Sequence, residues 1–258
     1  MPERSYDFIQ SLERGLAVMN SFTRERTNQT MSEVAQETGL TRATARRVLL
    51  TLTELGYVHQ SSRSFSLTPK MLDLGYSYLS SLEVVEVAQQ PMERLVEEVR
   101  ESSSMSVLDD SDIVYVARVP TKRIMTIALA VGSRLPAYAT SMGRVLISGL
   151  TDSQIEDYIQ RTRLDKLTRH TVTDLAEFRA TIDEVRAKGF SLVDQELEEG
   201  VRSIAAPIVN GRKEIIAAIN ISCHASRVTL GKIRGEFRPK LIATASEISA
   251  LARTLPGN

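Results

Sequence analysis

Apolar side chains recur at helical spacing in the stretch that follows residue 30. Three of them fall on one helix face: Met31, Val34 and Ala35. Thr30 and Glu33 have the T-x-x-E spacing of a capping box, in which each side chain bonds the other residue's backbone at a helix start. Gly39 suits the left-handed conformation in which many helices end. The pattern predicts a short helix followed by a tight turn.

A second helical stretch begins after Thr41, whose hydroxyl suits a helix N-cap. Its predicted buried stripe has five apolar positions: Ala45, Val48, Leu49, Leu52 and Leu55. No acidic residue occurs between Leu40 and Thr53, and the polar face carries Arg42, Thr44, Arg46 and Arg47. Arginine forks match guanine edges and phosphate oxygens, while threonine reaches phosphates or thymine methyls. The two stretches therefore predict a helix-turn-helix that binds DNA.

Two short alternating stretches follow, at 57–59 and 65–67, and the residues between them have turn composition. They predict a β-hairpin wing with its tip at 61–64. Arg63 at this tip suits the DNA backbone or a narrow minor groove. An ordinary helical hairpin with a solvated basic face is the alternative for the helix pair alone, and the short turn and the wing argue against it.

The segments on either side of this module are also patterned. An arm over 1–6 precedes a helix over about 8–22, which is expected to pack under the helix pair through Ile9, Leu12, Leu16 and Met19. Beyond the wing, Pro69 suits the first turn of a linker helix. The apolar stripe of that helix comprises Met71, Leu72, Gly75, Tyr78, Leu79 and Leu82. We expect this stripe to pair with its copy in a dimer, the alternative being contact with its own C-terminal domain.

The rhythm changes beyond residue 84. A helix over 84–100 leads into six predicted strands, at 103–109, 112–119, 125–131, 190–196, 203–209 and 214–223. Helices are expected over 142–150, 152–160, 174–188 and much of 229–255, and 133–141 is expected to be a loop. This part of the chain is therefore predicted to be α+β, with one antiparallel sheet and helices packed on it.

Length, charge and cysteine content limit the classes of protein to which this chain can belong. The 258 residues suffice for a DNA-binding domain over 1–69, a linker helix over 70–83 and a second domain over 84–258. Basic and acidic residues balance at 32 each, so any nucleic-acid surface must be local. The single cysteine, Cys223, excludes an internal disulfide, and no apolar run approaches the roughly 20 residues of a membrane helix. We expect a cytoplasmic protein.

The second domain lacks the motifs of common enzyme classes, namely a G-x-S-x-G elbow and a glycine-rich phosphate loop. A hydrolase built on Ser141 and His170 is a weaker alternative. The acidic cluster of 194–199 has no histidine beside it, so a solvated loop is expected rather than a metal site. We predict no catalytic centre, no cofactor and no metal.

A small-molecule pocket is the better prediction for this domain. The segment GSRLPAYATSMG is a polar loop directly before a helix, whose free N–H groups favour an anion. An arginine that forks onto a carboxylate would complete such a site. The candidate arginines are Arg134, Arg118, Arg123 and Arg202.

Four stretches together resemble one family. SLERGLAVMNSF, the winged module, GSRLPAYATSMGRVLIS and GVRSIAAPIVNGRKEIIAAINIS occur in this order across essentially the whole chain. The chain resembles the IclR family of bacterial transcriptional regulators. AYATSMGRVL is most similar to the branch that regulates protocatechuate, 4-hydroxybenzoate and β-ketoadipate catabolism, the Pca/Pob regulators. Many relatives have histidine where Tyr138 stands here.

The resemblance implies a winged helix-turn-helix, a GAF-like sensor domain, a homodimer that often pairs into a tetramer, and a small organic acid as effector. It implies effector contacts at Ser141, Met142, Asp194, Ser203, Asn220 and Ser222. Arg134 completes this predicted set. The predicted DNA-binding residues are Thr41, Arg42, Thr44, Arg46, Arg47 and Arg63.

The leading hypothesis is a sequence-specific regulator of aromatic-acid catabolism that binds a near-palindromic operator as a dimer. Its effector would be a small carboxylic acid such as protocatechuate or β-ketoadipate. The acid must favour one sensor arrangement over another, and the linker helix would carry that change to the DNA-binding domains. The alternatives are an IclR-type regulator of another carboxylate pathway, a constitutive architectural DNA-binder, or an enzyme fused to a DNA-binding module.

Overall fold

The computed structural model describes residues 6–121 and 129–255. The chain divides into two compact units, Met1–Ser81 and Leu82–Asn258, so the linker helix falls within the first unit. Arg123, most of the predicted N-terminal arm and residues 125–128 of the predicted third strand lie outside the described residues. Residues 129–131, the rest of that strand prediction, form no strand.

The described part of the first unit contains four helices: α1 (Gln10–Asn20), α2 (Met31–Thr38), α3 (Arg42–Glu54) and α4 (Met71–Leu79). The capping box is formed, because the Glu33 carboxylate accepts from the Thr30 N–H at 2.6 Å and Thr30 Oγ1 accepts from the Glu33 N–H at 3.3 Å. Gly39 ends α2 at φ 67°. Thr41 caps α3 by accepting from the Thr44 N–H at 3.2 Å. The helix-turn-helix and its caps are confirmed.

A three-stranded antiparallel sheet completes the first unit: β1 (Gln29–Thr30), β2 (Val58–Ser61) and β3 (Ser64–Leu67). The β2–β3 hairpin confirms the wing. Strand β1 directly precedes α2. Gln29 pairs with Phe65 on β3, and its buried side chain donates from Nε2 to the Ser21 carbonyl at 2.9 Å. This internal hydrogen bond allows a polar residue to occupy a buried strand position.

The core of the first unit joins the three helices to the sheet through Val18, Val34, Ala35, Ala45, Leu49, Leu52, Val58 and Phe65. Two expectations about this core were wrong. Leu55 at the end of α3 is 52% exposed, and the α1 residues Ile9, Leu12 and Leu16 are also exposed. A helix stripe is buried only where a partner surface meets it, and within this unit that surface meets α1 at Val18.

The described helices of the second unit are α5 (Glu83–Val99), α6 (Ser141–Ser148), α7 (Asp152–Arg161), α8 (Leu175–Lys188), α9 (Leu230–Lys232) and α10 (Arg238–Ala252). A π-helical turn, Ile233–Phe237, joins α9 to α10. Pro239 stands in the first turn of α10, where a missing N–H leaves no helical bond unmade. Gly189 ends α8 in the left-handed conformation, at φ 72°.

The second unit is built on a six-stranded sheet: β4 (Ser102–Asp109), β5 (Asp112–Val119), β6 (Arg134–Pro136), β7 (Ser191–Asp194), β8 (Val201–Val209) and β9 (Ile215–His224). Its order is β6-β5-β4-β9-β8-β7, and all neighbours are antiparallel, as predicted. The segment expected to be a loop instead contains β6 and a 3₁₀ turn, Ala137–Ala139. Pairing with the edge of β5 satisfies its backbone groups.

Helices cover the sheet of the second unit on both faces. Helices α5 and α10 pack together on one face, and α6 lies directly on the other with α8 behind it. All eight residues of α6 are buried. Strand alternation turns Asn220 and Ser222 of β9 towards the α6 side, which places polar side chains beneath the N-terminal end of α6.

Candidate functional site

The exposed face of α3 carries Arg42, Arg46 and Arg47. Within the described residues, none of these arginines forms an ion pair with a carboxylate. Arg26 does form one, with Glu37 on α2. An exposed guanidinium without a protein partner keeps all its donors for phosphate oxygens or base edges.

Two predicted threonines lie at the start of the same helix. Thr41 is exposed, and its Oγ1 caps α3. Thr44 is half-buried, and its hydroxyl lies 2.9 Å from that of Thr41. Their hydroxyls thus bond each other at the N-terminal end of the helix, where the backbone N–H groups also favour an anion.

The tip of the wing presents Arg63. It lies in the two-residue turn between Ser61 and Ser64, which face each other across the hairpin. The side chain is exposed, and no described carboxylate pairs with it. The first unit therefore offers unpaired guanidinium groups at two places, the helix α3 and the wing.

A groove with an apolar lining separates α1 from α3 and α4 in the first unit. It measures about 520 Å³ and is lined chiefly by Leu12, Leu16, Met19, Val48, Leu52, Leu55, Tyr57 and Leu74. Helix α4 itself has no buried residue, and Leu72 and Tyr76 are more than 70% exposed. Lys70 ties α4 to α3 by donating from Nζ to the Leu55 carbonyl at 3.0 Å. The groove and α4 together form a large apolar surface that the unit does not cover by itself.

A small cavity lies in the second unit between the sheet and the N-terminal end of α6. It encloses about 30 Å³ and is lined by Tyr115, Leu129, Leu135, Ala139, Thr140, Ser141, Met142, Val193, Leu197, Val201, Ser203, Asn220 and Ser222. Five of the predicted effector-binding residues are brought together on this lining: Ser141, Met142, Ser203, Asn220 and Ser222.

The start of α6 leaves backbone donors at the cavity. Thr140 Oγ1 accepts the Gly143 N–H at 3.0 Å, whereas no described group accepts from the N–H of Ser141 or Met142. Gly143 allows this approach, because a Cβ there would lie 2.1 Å from the Ala137 carbonyl oxygen. The Ser141 hydroxyl donates to Ser203 Oγ at 2.8 Å, which connects the helix end to β8.

The floor of the cavity continues as a polar row across three strands. Asn220 on β9 pairs with Ser104 on β4, and Ser104 pairs with Arg118 on β5. Asn220 accepts the Ser104 N–H through Oδ1 at 3.0 Å, and its Nδ2 has no partner among the described residues. Arg118 donates to Ser104 Oγ at 3.3 Å. Arg118 lies next to the cavity lining, and no carboxylate in the described part of the chain pairs with it.

Burial shifts the pKa values of two groups on β5, Arg118 and Tyr115. Burial lowers the pKa of the Arg118 guanidinium, and the nearby Tyr115 partly offsets the effect. Burial also raises the pKa of Tyr115 to about 12, so its hydroxyl stays neutral and can donate a hydrogen bond. A carboxylate beside Arg118 would stabilise its charged form.

Two predicted effector contacts lie away from the cavity. Arg134 is bonded at the outer sheet edge, at 2.6 Å to Asp109 and 3.2 Å to Asp112. Asp194 pairs with Arg202 at 2.6 Å, so neither member of that pair is available to a ligand in the cavity. Leu135 and Val193, one residue away, line the cavity instead. Strand alternation explains both corrections, because a shift of one residue moves a side chain to the other face.

The residues of the alternative hydrolase site, Ser141 and His170, are not brought together in this unit, and the acidic cluster differs from the expected solvated loop. The Ser141 hydroxyl bonds Ser203, whereas His170 Nε2 accepts from Arg169 Nε, so no Ser–His pair forms. Glu196 of the acidic cluster is buried rather than solvated, because Arg144 pairs with it at 2.6 Å. Among the described residues, no His, Cys, Asp and Glu side chains cluster in a way that suits a metal ion. No helix in the described ranges is long and apolar enough to cross a membrane.

Several lining residues were not predicted. Tyr115 and Val193 stand on strands that the sequence did predict, whereas Val201 precedes the predicted strand 203–209 and belongs to the longer β8. Leu197 lies in the 195–200 turn, where no periodic pattern applies. It follows Glu196, whose ion pair with Arg144 joins residues far apart in sequence and is not visible from adjacent residues.

Two family descriptions match the chain. Residues 76–250 match the description "Bacterial transcriptional regulator IclR C-terminal", and residues 11–62 match "IclR helix-turn-helix domain". The chain belongs to the IclR family of bacterial transcriptional regulators. The predicted family, the α+β fold and the assignment as a regulator rather than an enzyme are confirmed.

Similar proteins indicate the branch of the IclR family to which this chain belongs. The Pca regulon regulatory protein of Pseudomonas putida is 41% identical over 94% of this chain and 84% of its own length. A solved structure from Rhodococcus sp. RHA1 has 51% identity and a TM-score of 0.85, covering 95% of this chain and 98% of its own. An IclR homologue from Microbacterium hydrocarbonoxydans, complexed with 4-hydroxybenzoate, shares the fold with a TM-score of 0.84 at 23% identity, over 95% of this chain and 100% of its own. The Pca/Pob-like branch is confirmed.

Proposed function

We propose that this IclR regulator binds a near-palindromic operator as a homodimer or dimer of dimers in the cytoplasm, and that a small aromatic or related carboxylic acid controls this binding. DNA binding is assigned to 1–69, the linker to 70–83, and acid binding and assembly to 84–258. The observation that carries the effector assignment is the cavity at α6, where unpaired backbone donors and Asn220 converge and where Ser104 connects Asn220 to Arg118.

The DNA-binding assignment is supported by the exposed arginines of the first unit. Arg42, Arg46 and Arg47 are presented by a capped helix, and Arg63 by the wing, without a carboxylate partner among the described residues. The arginines of α3 would enter the major groove and read guanine or hold phosphates. Thr41 and Thr44, with Arg63, would contact the backbone near each end of this surface.

The homodimer is supported by apolar surface that the first unit leaves uncovered. The groove between α1, α3 and α4 and the exposed side chains of α4 are too apolar for an isolated surface. A second copy is the simplest partner, since a twofold contact uses the same patch on both subunits. Twofold symmetry in the protein then requires a near-palindromic operator.

The acid assignment is supported by the donors around the cavity. The free N–H groups of Ser141 and Met142, with Asn220 Nδ2, favour an anion or a hydroxyl-bearing ring, and Tyr115 and Leu197 supply apolar walls. Arg118 takes the role first assigned to Arg134, since it is half-buried and lacks a carboxylate partner among the described residues. The Pca regulator relative and the 4-hydroxybenzoate complex favour an aromatic-pathway acid.

A thermal-shift experiment tests the effector assignment. Protocatechuate, 4-hydroxybenzoate and β-ketoadipate are each added to the full chain, and at least one is expected to raise the Tm. By mass action, a ligand at 100 times its Kd increases the free energy of unfolding by about 2.7 kcal/mol. Arg118→Gln should lose the shift, whereas Arg134→Gln, with an exposed arginine, should keep it. No shift with any acid would instead favour a constitutive architectural DNA-binder.

Gel shifts with DNA upstream of the regulated genes test the reading surface. Arg46→Ala or Arg47→Ala is expected to abolish operator binding, because each arginine fork contributes about 1–3 kcal/mol of base discrimination. The matched control is Arg26→Ala, which removes a paired arginine from the same unit. Calorimetry on the same variants should show the acid binding nearly unchanged. Loss of both activities together would contradict separate DNA-binding and acid-binding modules.

A further inference from the structure

The cavity is smaller than the ligand proposed for it. It encloses about 30 Å³, whereas an aromatic ring needs on the order of 150 Å³. If the proposed function holds, on which this inference rests, part of the cavity wall must move when the acid binds. The hydrogen bonds and ion pairs around the cavity show which walls are fixed and which wall has few such contacts.

The floor and the helix end are held by backbone contacts. Strand β4, which carries Ser104, is hydrogen-bonded to β5 on one side and β9 on the other. The start of α6 is fixed by the Thr140 cap and by the contact of Gly143 with Ala137. Neither surface can shift without breaking a continuous set of hydrogen bonds.

A buried ion pair helps to hold the Leu197 wall. Arg144, one turn into α6 from Ser141, donates from Nη1 and Nη2 to the two carboxylate oxygens of Glu196 at 2.7 and 2.6 Å. Its Nε donates to the Tyr138 carbonyl at 2.9 Å. Arg144 is 3% exposed and Glu196 8% exposed, so solvent does not screen this contact. The pair therefore connects the cavity wall at Leu197 to helix α6, whose N-terminal end also lines the cavity.

Glu196 also organises the segment that packs outside this wall. Its carboxylate accepts the Val172 N–H at 3.1 Å, and its backbone carbonyl accepts from Thr171 Oγ1 at 2.7 Å. Thr168 Oγ1 donates to the neighbouring Gln195 carbonyl at 2.7 Å. Glu196, the residue before Leu197, thus connects the segment 168–172 to the turn 195–200.

The wall at Leu129 lacks such support. Leu129 lies in no helix or strand, and no described group bonds its backbone. Its neighbour on the lining, Leu135, belongs to a three-residue strand at the sheet edge. Short edge elements with few backbone bonds open at lower free energy than the centre of a sheet.

We propose that Arg144 and Glu196 are positioning residues for effector binding: they fix the Leu197 wall and confine the opening of the cavity to the wall at Leu129 and Leu135. Neither residue borders the cavity itself. Their effect on affinity arises because a ligand meets an already ordered wall and orders only the opposite one.

The test separates this role from general stability. In Arg144→Met/Glu196→Leu, apolar side chains replace both charges, an exchange that buried ion pairs often tolerate in stability. Without any acid, hydrogen–deuterium exchange is expected to rise at 193–201 and 168–172 and to stay unchanged at 129–136. Exchange equal to wild type at 193–201 would overturn the proposal, whatever the chain binds.

Calorimetry with protocatechuate, 4-hydroxybenzoate and β-ketoadipate provides the second readout. The double variant is expected to bind about tenfold more weakly, as when the ordered wall is populated about a tenth of the time. Ligand-induced protection should be confined to 129–136 in the wild type and extend to 193–201 in the variant. Ile248→Val, on α10 across the sheet, is the control that lowers the Tm without changing the Kd.

Arg144→Lys is the second variant if the double variant does not fold. It keeps the charge of the pair but cannot bond both carboxylate oxygens and the Tyr138 carbonyl at once, so the same changes are expected. A wild-type Kd in a folded Arg144→Lys protein would contradict the positioning role. If the wild type binds none of the three acids, the effector assignment fails, while the ligand-free exchange experiment still decides the role of the pair.

Discussion

Arginine has opposite roles in the two units of this protein. In the first unit, Arg46 and Arg47 are exposed and pair with no carboxylate among the described residues. In the second, Arg144 is buried and all three of its guanidinium nitrogens bond protein acceptors. A side chain of one type can therefore present donors outward for a ligand or connect distant segments of the chain, and the partners decide which.

Two arginines of the second unit lie between these extremes. Arg202 is half-buried and bonds both Asp194 and the backbone carbonyls of Ala225 and Val228. Arg118 is also half-buried, yet among described residues it bonds only a serine hydroxyl. Burial without a carboxylate partner sets Arg118 apart from the other buried or half-buried arginines that the structure describes in this unit, and this contrast underlies its proposed role in binding an anionic ligand.

The largest effect is expected when the buried pair loses one member. Arg144→Met alone leaves Glu196 buried without its partner, so the free energy of unfolding should fall by about 3–5 kcal/mol. Urea denaturation of the full chain measures this loss. Arg163→Met is the matched control, since Arg163 pairs with Asp165 at the surface and its side chain is 89% exposed. Similar losses in both variants would contradict the contrast between connecting and presenting arginines.

The elements with local signals were predicted from the sequence. The capping box at Thr30, the left-handed turn at Gly39 and the N-cap at Thr41 each depend on residues within a few positions, and all three form. The strands of the second unit were predicted where alternation extends over a whole strand. Local hydrogen bonds and helix periodicity are visible in sequence because they involve near neighbours.

The candidate site was predicted less completely because it depends on long-range register. Arg134 and Asp194 stand one residue from the lining residues Leu135 and Val193, and only the pairing with β5 and β8 decides which face each occupies. The Arg144–Glu196 pair joins residues that are 52 positions apart. The exposure of the α1 stripe has another cause, since helical spacing marks Leu12 and Leu16 as apolar but does not show whether a surface of the unit packs against them.

A smaller effect is expected from an arginine that only presents its donors. Arg63→Ala should leave the free energy of unfolding within about 0.5 kcal/mol of wild type, because no described carboxylate pairs with it. Operator affinity should fall, and the slope of log K against log salt should decrease by about one if Arg63 holds a phosphate. Binding measured at several salt concentrations checks this, with Arg26→Ala as the control. An unchanged slope would remove the wing tip from the DNA-binding surface.

The smallest effect concerns a carboxylate of the first unit. Hydrogen bonds from the Thr30 backbone and hydroxyl lower the pKa of Glu33 in the folded chain. A folded-state pKa below the unfolded one stabilises the fold above the unfolded pKa of about 4.3, and this contribution is lost as the pH falls through the folded value. Glu33→Gln keeps a capping-box side chain but cannot ionise, so it should be slightly less stable than wild type at pH 7, and the difference should disappear as the pH falls through the folded-state pKa of Glu33.

Unfolding of wild type and Glu33→Gln is followed across this pH range in two backgrounds, with Thr30 intact and with Thr30→Ala. Removing Thr30 costs about 1 kcal/mol as a lost helix cap and also removes the hydroxyl contact with Glu33. The pH-dependent difference between Glu and Gln should therefore shrink in that background. A difference of the same size with and without the Thr30 hydroxyl would assign the pH dependence to the backbone N–H of residue 30, which the alanine variant keeps and which donates to the Glu33 carboxylate at 2.6 Å.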